Sequence, residues 1–471
     1  MKKYLIWIIC ALVSLSILTV GLINHFKKLP TNISYEGDIH KTDDLQFLYD
    51  LTYKDKDDET QVEQSIFSEV WKLIDEADDF ILIDMFLFND YTDQSRDFPN
   101  LSGELTERLI EKRKAHPHMP IVFITDPINT GYNSYESEQI KLLKDHDIEV
   151  VITDLDKLHD SNKLYTSMWR IIAQPLGYGK RGWLPNPLAS EGPPLTLRSY
   201  LAVFNVKANH RKAFVSEKNA IIQSANAHDE SGFASNIAFK LSGSIIRDIV
   251  EAEQAVIDYS GGKTKINPVI EDNSSGDITA QYLTEGKILQ SLVAAIDEAD
   301  QGDTIWSGMF YIANRSIIEA LHAANERGVN VHIILDKNQV AFGNQKTGLP
   351  NVPTANELNG LDHVTIRWYE SEEDQYHSKL LLVQKEKENI IIGGSANYTT
   401  RSLDDLNLEN NVKIVAPNHS TISNDVEQYF TRLWFNEDGV FTSEYETNEG
   451  ALTPLLKVTY WLQKVTGFTT Y

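Results

Sequence analysis

The sequence predicts an α/β protein of two similar half-domains, related by a pseudo-twofold axis, behind an N-terminal transmembrane helix. Three observations lead there. The pentapeptide Ile-Asp-Glu-Ala-Asp occurs at 74–78 and again at 296–300, each time closing an apolar-periodic segment, IFSEVWKLIDEAD or ILQSLVAAIDEAD. Each copy precedes a strand-like run, FILIDMFLF or TIWSGMFYI, then a second helical segment and a strand ending in Asp126 or Asp336. Such alternation reads as two copies of one helix-and-strand unit, which gathers ligand groups at strand ends. The third observation is Tyr4 to Ile23, a charge-free apolar run long enough to cross a bilayer as a helix.

The elements follow in chain order. Residues 1–30 form the membrane anchor. The apolar run is longer than a signal-peptide core, and no small-residue cleavage site lies around Ile23-Asn24-His25, so it reads as uncleaved. Lys2 and Lys3 on one flank balance Lys27 and Lys28 on the other, which leaves its orientation unset. The first half spans 60–260 and the second 280–437, separated by a linker, 261–279, that contains the polar stretch GGKTKINPVIEDNSSGD. The halves differ chiefly by an insertion, Leu164 to Tyr200. It reads either as a packed surface loop or as an interfacial flap, with Trp169, Tyr178 and Trp183 at the headgroup level beside Lys180, Arg181 and Arg198. In the tail, 438–471, Leu455, Leu456, Tyr460, Trp461, Leu462 and Val465 fit one side of a helix that docks on the core or lies on a membrane.

A net charge of −25 argues against long-range attraction to nucleic acid, which binds mainly through lysine and arginine. The single cysteine, Cys10, lies inside the anchor, so the body has no thiol chemistry, disulfide or cysteine metal ligand. A cysteine-free body behind an anchor suits an extracytoplasmic position at the cell membrane.

Chemistry concentrates in two stretches with the same order of polar residues. A lone His-x-Lys carries little meaning: with 13 histidines and 43 lysines plus arginines, about one is expected by accident. His25 and Lys27, beside the anchor, are such a case. His210/Lys212 and His377/Lys379 differ, because each pair opens an apolar strand-like run, AFV or LLLV, and is followed by a second run ending in Ser-Ala-Asn. Residues two apart on a strand share a face. Ser224/Asn226 and Ser395/Asn397 have the same spacing, so two adjacent strands in each half can offer a His, a Lys, a hydroxyl and an amide to one small anion.

This doubled H-x-K(x4)D…GSxN-like arrangement resembles the phospholipase D superfamily over roughly residues 60–437, and the run TTRSLDDLNLENN resembles that of bacterial cardiolipin synthases. The chain departs from the family pattern in places. The acidic residue usually five positions after the Lys is Glu217 in the first copy and Gln384 in the second. A carboxylate further on holds the catalytic His in the family. Aligning NNVKIVAP with NIAFKLSG assigns Glu409 to His377 and sets Asn236 opposite His210.

The resemblance implies a membrane-anchored phosphodiesterase or phosphatidyltransferase that works on phospholipids through a phosphohistidine. One imidazole attacks phosphorus and the other serves as acid and base. Family habit makes His210 the nucleophile, while the Asn236/Glu409 asymmetry keeps the reverse open. Lys212, Lys379, Asn226, Asn397, Ser224 and Ser395 are expected around the phosphoryl oxygens. No cofactor and no metal are called for. The expected partners are membrane phospholipids and a water or alcohol acceptor, with no nucleic acid. Three alternatives stand beside this reading: a cardiolipin synthase proper, an endonuclease, and a non-catalytic lipid-binding protein that keeps the fold.

Overall fold

The computed structural model describes residues 2–92, 96–179, 181–189, 191–270, 275–338, 340–341, 344–345, 348–370 and 374–445, with 454, 457–458 and 460–462 of the tail. Among these residues two nine-stranded sheets share one central strand order. Across the first run Leu45–Asp55, Asn236–Leu241, Ala220–Gln223, Lys212–Ser216, Ile81–Met85, Ile121–Thr125 and Glu149–Ile152. Across the second run Ile278–Thr284, Asn410–Pro417, Glu388–Gly394, Lys379–Gln384, Thr304–Met309, Asn330–Leu335 and Val364–Tyr369. The repeat seen in the sequence is therefore matched strand for strand.

The local causes are the ones the residues suggest. Ile81–Met85 and Ile121–Thr125 pair in parallel and are buried throughout, as their unbroken apolar runs require of strands covered on both faces. The two helices that end in the repeated pentapeptide, Ile66–Glu76 and Gly286–Asp297, bury residues three and four apart: Ile66, Val70, Leu73 and Ile74 in one, Ile288, Leu292, Ala295 and Ile296 in the other. Thr421–Phe435 is capped by Ser420, whose side chain accepts from the Ser423 N–H.

The largest apolar cluster is shared between the sheets, with Leu82, Val215, Ile222 and Phe239 from the first and Leu380, Leu382, Ile391 and Val412 from the second. Helices Ile245–Tyr259 and Thr421–Phe435 contribute to the same cluster. Gly393 marks how closely the halves approach, since a Cβ there would lie 2.9 Å from the Phe239 ring. Strands from outside the two expected half-domain spans also join the sheets. Leu45–Asp55, upstream of residue 60, belongs to the first sheet along with Gly439–Val440, and His40–Thr42 edges the second.

Helix Lys2–Phe26 is long and apolar enough to cross a membrane, and its large apolar side chains are mostly exposed. It packs against Lys163–Ile172, the helix that opens the insertion. The flap expectation needs one correction. Trp169 is only 8% exposed and faces inward, whereas Trp183 is 68% exposed. Tyr178 stacks under the Arg198 guanidinium at 3.6 Å. Lys180 and the tail positions Leu455, Leu456 and Val465 lie outside the described residues, while Trp461 and Leu462 are exposed and Tyr460 is half-buried.

Candidate active site

Each half builds its share of the site in the same way. The strand carrying the lysine pairs with the strand leading to Ser-Ala-Asn, with Ala213 opposite Ile222 and Leu380 opposite Gly393. This brings His-x-Lys and Ser-x-Asn to neighbouring strand ends. The approach to each histidine is fixed by the aspartate that ends an inner strand: Asp126 Oδ2 accepts the Asn209 N–H at 2.7 Å, and Asp336 Oδ2 accepts the Tyr376 N–H at 2.8 Å. A phenylalanine supports each pair. Phe86 lies 4.7 Å from the His210 ring and 5.0 Å from Lys212 Nζ, and Phe310 lies 5.0 Å from His377 and 5.1 Å from Lys379 Nζ. Each buried ammonium donates to the carbonyl of its own histidine, at 2.8 Å in the first half and 2.6 Å in the second.

The halves then cross. His210 N–H donates to Leu408 O and His377 N–H donates to Ser235 O, so each histidine is seated beside the residue preceding the other half's Glu409 or Asn236. This corrects the alignment-based pairing. Glu409 Oε2 meets His210 Nδ1 at 2.8 Å, and Asn236 Oδ1 meets His377 Nδ1 at 3.0 Å. The alignment placed each group with the histidine of its own half because only the fold reveals that the two strand ends swap partners.

The serines also need reassignment. They were expected at the phosphoryl oxygens, yet Ser395 Oγ donates to Glu409 Oε2 at 2.5 Å and Ser224 Oγ donates to Asn236 Oδ1 at 3.0 Å. Both hydroxyls therefore hold the groups that hold the histidines. Asn236 Nδ2 is engaged with Ala234 O, which turns Oδ1 toward His377 and makes the ring Nδ1 the donor. Nε2 of each ring is then the nitrogen left for chemistry. Asn226 and Asn397 are buried, with amide oxygens that have no hydrogen-bond partner among the described residues. Glu217 and Gln384 serve the sheets: Glu217 accepts the Asp78 and Asp79 N–H groups, and Gln384 accepts from the Trp306 indole.

The four central groups feel one another's charge. Burial first, then Lys212 and Lys379, hold His210 well below the usual histidine range; burial, Lys379, Lys212 and His210 do the same to His377. Burial brings Lys212 down to about 7 and also lowers Lys379, which Lys212 lowers further. Glu409 is raised to about 8 by burial, against the pull of Lys212. The site thus keeps its imidazoles neutral beside lysines that also hold their protons loosely. An anion entering it would favour the protonated forms.

Arg211 and Glu285 were not singled out from the sequence. Arg211 is fully buried between His210 and Lys212, and its Nη2 reaches Glu285 Oε1 at 2.8 Å. The same oxygen accepts the Glu409 N–H at 3.0 Å, while Oε2 accepts the Ser34 N–H at 2.7 Å. Glu285 also holds a positive φ of 45° as the residue preceding helix Gly286–Asp297. One buried carboxylate thus braces both motifs and the segment following the anchor. Arg211 could have been noticed as the charged residue between His and Lys, where the second copy has Ser378; Glu285 carries no comparable signal.

Residues 292–434 match the family model described as "Cardiolipin synthase, PLD-like domain". No curated protein matches the chain by sequence. Among solved structures, phosphatidylserine synthase from Haemophilus influenzae Rd KW20 superposes with a TM-score of 0.58 at 11% identity, covering 96% of this chain and 98% of that one. Lower scores, 0.43 and 0.28, relate it to two further structures. These are polyphosphate kinase from Porphyromonas gingivalis (10% identical, 90% and 56% covered) and Nuc, a phospholipase D family member from Salmonella typhimurium (18% identical, 36% and 99% covered). At those scores they support no further argument. The fold is phospholipase D-like over nearly the whole chain, and the family match falls within its second half. The matched segment includes His377, Lys379 and Glu409.

Proposed function

We propose that this chain is a membrane-anchored phosphodiesterase or phosphatidyltransferase acting on phospholipids through a phosphohistidine. One observation carries the reading: two His-Lys pairs from different halves converge, and each imidazole is held through Nδ1 by a residue of the opposite half. In the first step His210 Nε2 attacks phosphorus. A P–N bond forms while the P–O bond to the leaving alcohol breaks, and His377, protonated once the anionic substrate is bound, gives its proton to that oxygen. In the second step His377 takes the proton of water or an acceptor hydroxyl, whose oxygen bonds phosphorus as the P–N bond breaks. Lys212 and Lys379, with the amides of Asn226 and Asn397, stabilise the nonbridging oxygens.

The pairing of partners supports His210 as the nucleophile. Positive charge arrives on that ring with the P–N bond and draws the buried Glu409, 2.8 Å away, into its carboxylate form, which offsets that charge. Asn236 offers His377 no charge, so His377 releases its proton more readily, as the acid must. Transfer to an alcohol is supported over hydrolysis by the match to the cardiolipin synthase, PLD-like domain family and by the likeness in fold to a phosphatidylserine synthase. Cardiolipin formation from phosphatidylglycerol is the specific case. The cysteine-free body behind the apolar helix fits an extracytoplasmic position. The net charge of −25 speaks against a nuclease.

A p-nitrophenyl phosphodiester tests the assignment, because its leaving group needs no acid. His377→Ala should burst and then stall with phosphate bound to protein, and His210→Ala should form no adduct. Adduct on the His210→Ala protein would overturn the assignment. Lipid mass spectrometry of the wild-type reaction with phosphatidylglycerol vesicles should show diphosphatidyl product and released glycerol.

A further inference from the structure

The insertion helix Lys163–Ile172 exposes Leu164 (69%), Met168 (40%) and Ile172 (59%), and the turn after it exposes Leu176 (51%). Four-residue spacing places Leu164, Met168 and Ile172 on one face of the helix. The opposite face is fixed, with Thr166, Ser167 and Trp169 buried and Arg170 paired with Asp160 at 3.0 Å and Asp156 at 3.2 Å. A helix so clamped on its polar side, yet bare on its apolar side, wants a cover.

Its position says which cover. The helix packs against the last turns of the apolar N-terminal helix, close enough that a Cβ on Gly21 would stand 3.0 Å from Ser167 Oγ. Below that contact Lys27 Nζ donates to Asp156 O at 2.8 Å, and His159 Nε2 meets Lys27 O at 2.9 Å. Gly21 is five residues from the end of the apolar helix at Phe26, which is about 8 Å of helix axis. Interfacial amphipathic helices sit roughly 5–10 Å into the headgroup and acyl boundary. If the N-terminal helix spans the bilayer, its contact holds Lys163–Ile172 at that depth.

We infer that Lys163–Ile172 and the turn through Leu176 form a lipid-docking surface, inserted in the outer layer of the bilayer beside the anchor. The proposal rests on the membrane-anchored reading above and deepens it. The docked helix is tied to the chemistry by Asp160, which pairs with Arg170 of the helix and, at 2.6 Å, with the buried Lys207 just ahead of His210. Docking therefore sets the height of His210 over the lipid surface. The second half has no corresponding insertion before His377. The two chemically unequal halves would also be unequally placed toward the membrane, with the nucleophile's half against it.

The test uses the full chain with Cys10→Ser and a single spin-labelled cysteine at Met168, Ile172 or the exposed Lys387 of the second half, reconstituted in phosphatidylglycerol and phosphatidylcholine vesicles. Labels at 168 and 172 should be several-fold less accessible to an aqueous nickel chelate, and more accessible to oxygen, than the label at 387. Equal chelate accessibility at all three sites, in protein that floats with the vesicles, would overturn the docking while leaving the anchor standing. Failure to float would sink the anchored reading and the docking with it. Spin–spin broadening at 168 that vanishes on dilution with unlabelled chain would show a second copy as the cover, and would also overturn the proposal.

Discussion

Glu409→Gln is the sharpest probe of the crossed arrangement. The carboxylate is fully buried, with Oε2 shared between His210 Nδ1 and Ser395 Oγ and with Oε1 lacking a hydrogen-bond partner among the described residues. A glutamine can keep its oxygen on the histidine and put its NH2 where Oε1 was, so the substitution removes charge with little change of shape. Hydrogen bonds to charged groups contribute about 1.5–3 kcal/mol. At about 1.36 kcal/mol per factor of ten, the loss is about 10- to 150-fold. It should fall on kcat, because the ring carries its charge only once the P–N bond forms. Stopped-flow release of p-nitrophenol would show a slowed burst with an unchanged KM. The reciprocal Asn236→Asp should leave that burst intact and change the second step, since it strengthens His377 as a base. A Glu409→Gln burst within about twofold of wild type, a loss well below that range, would refute the assignment of His210 to the charge-backed role.

Other expectations follow from the same geometry. Lys212 has its folded-state pKa lowered to about 7 from 10.5, so its contribution to stability is full above 10.5 and is lost as pH falls through 7. The stability of wild type relative to Lys212→Met should therefore climb between pH 7.5 and 9.5, by at most about 1.4 kcal/mol per unit, in denaturant melts at each pH. Glu285→Gln strips the buried Arg211 of its nearer partner, and breaking such a pair costs about 3–5 kcal/mol. The double variant Arg211→Met/Glu285→Gln should recover part of that loss in a melting cycle, even if it is inactive. Activity should survive EDTA, because two buried lysines already supply positive charge where the phosphoryl oxygens would sit; loss on chelation that a divalent ion restores would point to other chemistry.

The sequence by itself determined the repeat. Apolar periodicity and the duplicated pentapeptide are local facts, and they were enough to give the alternating units, the four strands that carry His-x-Lys and Ser-x-Asn, and the apolar N-terminal helix. It also singled out the residues proposed to carry the chemistry, since imidazole, ammonium and amide at alternating strand positions mean much the same in any fold. Only the tertiary structure decided who faces whom. Glu409 lies far from His210 in the chain and meets it because each half lends a strand end to the other, a pairing set by the shared apolar core and by the parallel bridges at Leu408 and Ser235. The serines point away from the expected anion for the same reason: a buried carboxylate or amide needs donors, and the nearest hydroxyl supplies one. Glu285 and the inward turn of Trp169 were invisible because burial is a property of the packed whole, which no run of neighbouring residues specifies.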